Sequence, residues 1–152
     1  MRSLEYVGLA IIHQPYRDCE DFGKVLIVRK NEPMPSGRKL TWGFPSSRLL
    51  PGKTIEQSLT EGTKEQTGLD VEILKPVFAW LHPDQDYNAN ITYFEAMPKS
   101  WPQEIKLKEE KILEAKFVDP KDVISHFTTR NAPEIGIYLS EFIVEPFEYA
   151  TS

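Results

Sequence analysis

Residues 51 to 71, PGKTIEQSLTEGTKEQTGLDV, bound one element more tightly than any other part of the chain. Pro51-Gly52 makes a turn. Thr54 with Gln57 three residues on has capping-box spacing, in which two orphan backbone N–H groups are satisfied reciprocally. Gly68 supplies the left-handed conformation that ends a helix. The spacing therefore predicts a helix over 55–67. Within it Ile55, Leu59 and Thr63 share one face at spacing four, while Glu61, Lys64 and Glu65 lie away from it. One face packs, and the other meets solvent or a ligand.

Strands are legible on either side. Tyr6–His13 and Lys24–Lys30 are rich in Val, Ile and Leu and flank a polar stretch with turn residues at its ends, as two neighbouring strands would. NEPMPSGRK, 31–39, reads as a loop from its prolines and glycine, and Leu40–Phe44 as a short extended piece leading into PSSRLLPG. Val71–His82 and Tyr87–Met97 read as longer strands joined by a hairpin turn at PDQD. Leu107–Glu114 follows no clear period, and Ala115–Asp119 reads as a strand end. Asp119-Pro120 gives an N-cap and first-turn proline for the short helix KDVISHF. Asn131 is placed to cap a last helix with the apolar stripe Ile135, Tyr138, Leu139 and Phe142. Strands mixed with helices that cover both faces of a sheet give an α/β sandwich.

At 152 residues the chain reads as a single domain, 1–152, large enough to bury a core without disulfides. A net charge of −5 excludes the basic field that bulk nucleic-acid binding needs. The apolar run YVGLAII is too short to span a bilayer and has the flanks of no export signal, which points to a cytoplasmic protein with no membrane partner. Cys19 is the single cysteine, cannot form an intramolecular disulfide, and reads as a surface residue.

Residues 42–71 resemble the Nudix box, the pattern GX5EX7REUXEEXGU with U aliphatic. Anchored on Gly68 and Leu69, the register sets Ser47 at the first glycine, Lys53 at the first glutamate, Glu61 at the arginine and Gly62 at the next glutamate. Glu65 keeps one of the later paired glutamates, and Gln66 replaces the other; Glu65, Gly68 and Leu69 match strictly. The surroundings agree: Trp42, Phe44 and Pro45 resemble the family's lead into the box, Pro51-Gly52 its turn, and Glu110–Asp122 its later strand and short helix. The resemblance implies the Nudix fold, an α/β/α sandwich with a mixed β-sheet. It also implies a MutT-like hydrolase of nucleoside diphosphates linked to another moiety, in which water attacks a phosphoanhydride with Mg2+ or Mn2+ neutralising the polyanion.

The departures bear on that chemistry. The three positions at which the family sets carboxylates on one helix face are Gly62, Glu65 and Gln66 here, so one negative charge survives. Gly62 also costs the helix about 0.5–1 kcal/mol relative to Ala and needs a reason. Lys53 and Glu61 exchange the family's charges reciprocally, which suggests that they pair to hold the preceding loop; solvated surface charges would read the same way. A rebuilt site would draw on Glu65, Glu61 and the loop acid Glu110, with Glu65 and Glu61 as metal ligands; Glu56, Glu95 and Glu109 are further carboxylates. The helix glutamates equally suit a solvated face.

For substrate, Arg38, Lys39 and Lys53 could meet an anionic ligand. Trp42, Trp80 and Tyr93 could stack on a base, although aromatics in strands are more often core. Trp101, in a polar stretch, offers the best exposed aromatic contact. His13, His82 and His126 lack metal-ligand spacing and read as structural. Two functions stay open: a divergent hydrolase using Mg2+ or Mn2+, or a non-catalytic module of the same fold binding a nucleotide-type small molecule or a protein, with no metal. The C-terminal stripe and FIVEPF offer surface for a homodimer.

Overall fold

The computed structural model describes residues 4–14, 23–33, 39–82, 89–107, 112–127 and 131–141. In chain order these form β1 (Glu5–Ile12), β2 (Val25–Pro33), β3 (Lys39–Gly43), β4 (Ser46–Arg48), α1 (Ile55–Thr67), β5 (Val71–Leu81), β6 (Ala89–Pro98) and β7 (Ile112–Val118). A 3-10 turn (Pro120–Asp122) then runs into α2 (Val123–His126), and α3 (Pro133–Glu141) follows.

The strands form two sheets, ordered β4-β1-β6-β5 and β3-β2-β7. The first is mixed: β1 runs parallel to β6, from Glu5 opposite Ala89 to Ile12 opposite Ala96, while β4 and β5 pair antiparallel to their neighbours. The second is antiparallel throughout.

Alternation along the central strands feeds two cores at once. Val7 and Ile11 of β1, Val25 and Ile27 of β2, and Ile91 and Tyr93 of β6 enter one core with Ile135 and Leu139 of α3. Ala10 and Ile12, Leu26, and Phe94 and Ala96 enter the other with Leu59 of α1. Strands buried on both faces read as near-continuous apolar runs, which is why β1 and β2 are so apolar. With α1 on one side and α2 and α3 on the other, the arrangement is the α/β/α sandwich with a mixed sheet.

Three local readings change. The PSSR stretch, to which the sequence assigns no element, contains β4; its serines have little strand propensity, and pairing of Ser46–Arg48 with Leu9–Val7 of β1 decides the matter. β7 starts at Ile112 rather than Ala115, because β2 supplies a partner from Lys30 onward and Ile112 is buried. The last helix begins at Pro133, and the Asn131 side-chain carbonyl accepts a 3.0 Å bond from the Tyr93 hydroxyl. The 3-10 turn keeps its expected cap, Asp119 accepting from Lys121 N–H. PDQD, Cys19, Phe142 and FIVEPF lie outside the described residues.

Candidate functional site

The helix α1 is held at both ends as its sequence requires. Thr54 Oγ1 accepts from Gln57 N–H at 3.0 Å, and Thr54 N–H donates to Gln57 Oε1 at 2.9 Å. At the other end Gly68 adopts φ 79° and donates its N–H to Lys64. Ser58 fastens the preceding loop: its hydroxyl accepts from Leu50 N–H at 3.0 Å and donates to Thr54 O at 2.9 Å. Lys53 and Glu61 form an ion pair from loop to helix, both side chains partly exposed, so the reciprocal charge exchange keeps a pair of opposite sign.

A second exchange is one of size. A Cβ on Gly62 would lie 2.9 Å from Ser47 Cβ and 3.2 Å from Ser47 Oγ. The box pattern has glycine at 47 and a long side chain at 62; here the side chain stands on β4 and the glycine on the helix. Backbones and side chains cannot overlap at this distance, so Ser47 dictates Gly62, and this is the reason for a helix-interior glycine. The helix then lies close enough for Gln66 Nε2 to donate to Ser46 O at 2.7 Å. Gln66 Oε1 is buried without a hydrogen-bond partner among the described residues. On the same side, Lys30 of β2, 7% exposed, donates from Nζ to Ser46 Oγ at 2.6 Å.

The donor set on this face does not fit a divalent cation. Position 62 has no side chain, position 66 is a carboxamide committed to a backbone carbonyl, and Glu61 is paired with Lys53. Glu65 is exposed. Hard cations need several oxygen ligands at one point, and the described residues contain no group of three or more His, Cys, Asp or Glu able to hold a metal. Lys64 pairs with Asp70 at 3.0 Å. Glu95 points to the opposite side of the sheet from α1, where its carboxylate accepts from Tyr138 Oη at 2.6 Å. Arg38, Glu109 and Glu110 lie outside the described residues, and Lys39 is placed only as the first residue of β3.

Among the aromatics, Tyr93 is fully buried, its hydroxyl accepting from Ala132 N–H at 3.2 Å; burial pushes its pKa up to about 12. It is core. Trp101, expected as an exposed contact, packs edge-on to Phe117 with centroids 5.7 Å apart. Trp42 is half-buried: Lys116 Nζ stands 4.8 Å from its ring centroid, and His126 meets it edge-on. That cation–π contact covers one face of the ring. Lys116 was invisible as a site residue in the sequence, because register across β2 and β7 alone brings it to Trp42.

Sequence reasoning also missed Lys30. Its only signal is position: with Leu26 and Val28 it continues one face of an apolar strand, so a charge there is buried. Of the histidines, His13 has a structural place. His13, 2% exposed, bonds Tyr138 Oη through Nε2 at 3.0 Å and thereby joins β1 and α3 to Glu95 on β6. Burial pushes the His13 pKa down to about 4, against smaller opposing effects of the Gly23 carbonyl and Glu95. Burial and the Glu95 carboxylate both push Tyr138 up.

Sequence and structure comparisons agree with this frame. The NUDIX domain profile matches residues 17–139, and the chain belongs to the Nudix family. No curated protein matches it. A NUDIX hydrolase from Nitrosomonas europaea superposes with a TM-score of 0.71 at 16% identity, over 93% of this chain and 73% of that one. A Caenorhabditis elegans Ap4A hydrolase binary complex gives 0.68 at 16%, covering 90% and 93%. The NUDIX domain of Shewanella oneidensis NrtR, complexed with ADP ribose, gives 0.61 at 18%, covering 82% and 79%. At these identities the likeness is one of fold. No helix among the described residues is long and apolar enough to cross a membrane.

Proposed function

We propose that this chain is a nucleotide-binding member of the Nudix family, recognising a nucleoside-diphosphate-type ligand without efficient metal-assisted hydrolysis. One observation carries the reading. Of the three helix positions whose carboxylates define the family's chemistry, one is closed by Ser47 against Gly62 and another is a carboxamide bonded to Ser46. Fold alone does not fix reaction, and here the site has lost the charge that phosphoanhydride hydrolysis requires. Trp42 with Lys116, and the basic residues Arg38, Lys39 and Lys53, are the side chains proposed to meet the ligand. The recorded nucleotide-type ligands of family relatives, ADP ribose in NrtR among them, support that ligand class.

A second reading, a divergent hydrolase built on Glu65, Glu61 and Glu110 with Mg2+ or Mn2+, draws on the exposed carboxylate of Glu65. Phosphate or nucleotide release from dinucleotides, ADP-sugars and nucleoside triphosphates, with either cation, separates the two. The expected result is no turnover that Glu65→Gln removes, together with saturable calorimetric binding of at least one of these compounds. Turnover abolished by Glu65→Gln would overturn the binding reading in favour of the enzyme.

A further inference from the structure

We propose that His126 reads the base of the bound nucleotide: its Nε2 accepts a hydrogen bond from an exocyclic amino group, so that bases of the adenine and cytosine type are selected over their oxo counterparts. The inference rests on the nucleotide-binding reading above and names the ligand class within it. His126 closes α2, and its Nδ1 stands 2.8 Å from the Asp122 carbonyl oxygen. A carbonyl only accepts, so Nδ1 carries the proton of the neutral ring and Nε2 is left as an acceptor. Nε2 has no hydrogen-bond partner among the described residues and is not a buried atom. The imidazole meets Trp42 edge-on, with 6.1 Å between ring centroids and 75° between planes.

The surroundings suit an anionic ligand with a planar ring. Trp42 stands opposite Arg29 across β2 and β3, and Arg29 stands opposite Glu114 of β7, so the three share one face of the sheet. Arg29 and Glu114 pair with each other at 3.9 Å. Two residues along β7 from Glu114, Lys116 returns to that face; its ammonium lies 4.8 Å from the Trp42 ring centroid and pairs with no carboxylate among the described residues. An ammonium without a counter-ion favours a ligand that brings its own negative charge. A cation, an aromatic ring and a lone pair aimed through Asp122 therefore stand side by side. The lone pair decides between bases. Adenine and cytosine present an amino group where hypoxanthine and uracil present an oxygen. The amino group donates to Nε2, whereas the oxygen opposes one lone pair to another and leaves the acceptor unmet.

Calorimetric titration at pH 8 without added metal compares ADP with IDP and CDP with UDP, each pair differing by amino for oxo, with ribose 5-diphosphate as the base-free control. Wild type should prefer the amino member of the tighter-binding pair by about tenfold. His126→Phe keeps a flat ring against Trp42 and removes the acceptor. It should lose the preference, while binding the oxo member and ribose 5-diphosphate no more weakly than wild type does. His126→Leu takes its place should the phenylalanine protein not fold. Equal binding of the amino and oxo members by wild type, or a preference that survives the substitution, overturns the role of His126 and leaves the nucleotide-binding reading standing. Binding of none of these compounds by wild type overturns both.

Discussion

Gly62→Ala is the sharpest test of how the helix sits on β4. In an isolated helix this change stabilises by about 0.5–1 kcal/mol, because alanine removes the entropic penalty of glycine. Here the added Cβ would fall 2.9 Å from Ser47 Cβ, an atom that cannot swing aside as a flexible side-chain end would. Overpacking of this kind costs about 1–3 kcal/mol, so the net expectation is a loss of about 1–2 kcal/mol. For a chain of 152 residues that corresponds to a melting temperature lower by roughly 2–8 °C. Ser47→Gly removes the obstructing atom, and in that background the same Gly62→Ala change should raise the melting temperature by roughly 1–4 °C. Thermal and urea unfolding of the four proteins in the cycle give the coupling directly. If Gly62→Ala has the same sign and size in both backgrounds, the explanation of the helix glycine is wrong.

Three further outcomes follow from contacts described above. Lys53→Glu replaces an exposed ion pair with a like-charge pair and should lower stability by about 0.5–1 kcal/mol; Lys53→Glu with Glu61→Arg should recover it, and additive losses by urea unfolding would dissolve the pair. Thr54→Ala removes the side-chain half of the capping box and should cost about 1 kcal/mol, read as a lower urea midpoint; Thr54→Ser should restore most of it. His13 takes up a proton near 6.5 when unfolded but only near pH 4 when folded, so its contribution is complete above pH 6.5 and is lost as pH falls towards 4. The loss is on the order of 3 kcal/mol. Urea midpoints measured from pH 7 to pH 4 should decline in wild type and flatten over that window in His13→Gln; an equal slope in both would remove the assignment.

What could be read from the sequence divides along physical lines. Signals confined to a few residues were visible: the Thr54–Gln57 box, the left-handed Gly68, the Asp119-Pro120 cap and the apolar runs of β1 and β2 all act locally. The packing stripe Ile55–Leu59–Thr63 was visible for the same reason. Hidden were features created by juxtaposition. β4 exists because β1 offers it a partner, and Trp101 is a packing residue because Phe117 lies beneath it. For the site, the loss of carboxylates at 62 and 66 was plain in the sequence, and so was the reciprocity of Lys53 and Glu61. That Ser47 excludes a side chain at 62, or that Lys30 reaches Ser46, depends on the distance between a strand and a helix, which no spacing within the helix encodes.

The parallel pairing of β1 with β6 also sets an order of assembly. β1 is central to its sheet, yet the register that completes it runs from Ala89 to Ala96. Chain growing at the rate typical of synthesis needs roughly 4–17 s to pass from the end of the first strand to the end of the sixth. Until β6 is made, the short β4 is the other strand of that sheet that can pair with β1, and it reaches only Val7–Leu9, leaving Ala10, Ile11 and Ile12 outside its ladder. A newly made chain therefore carries its most apolar strand with one long edge unclosed until more than half of its length has appeared. That edge is where a nascent copy is most exposed to wrong pairing or to capture by a chaperone.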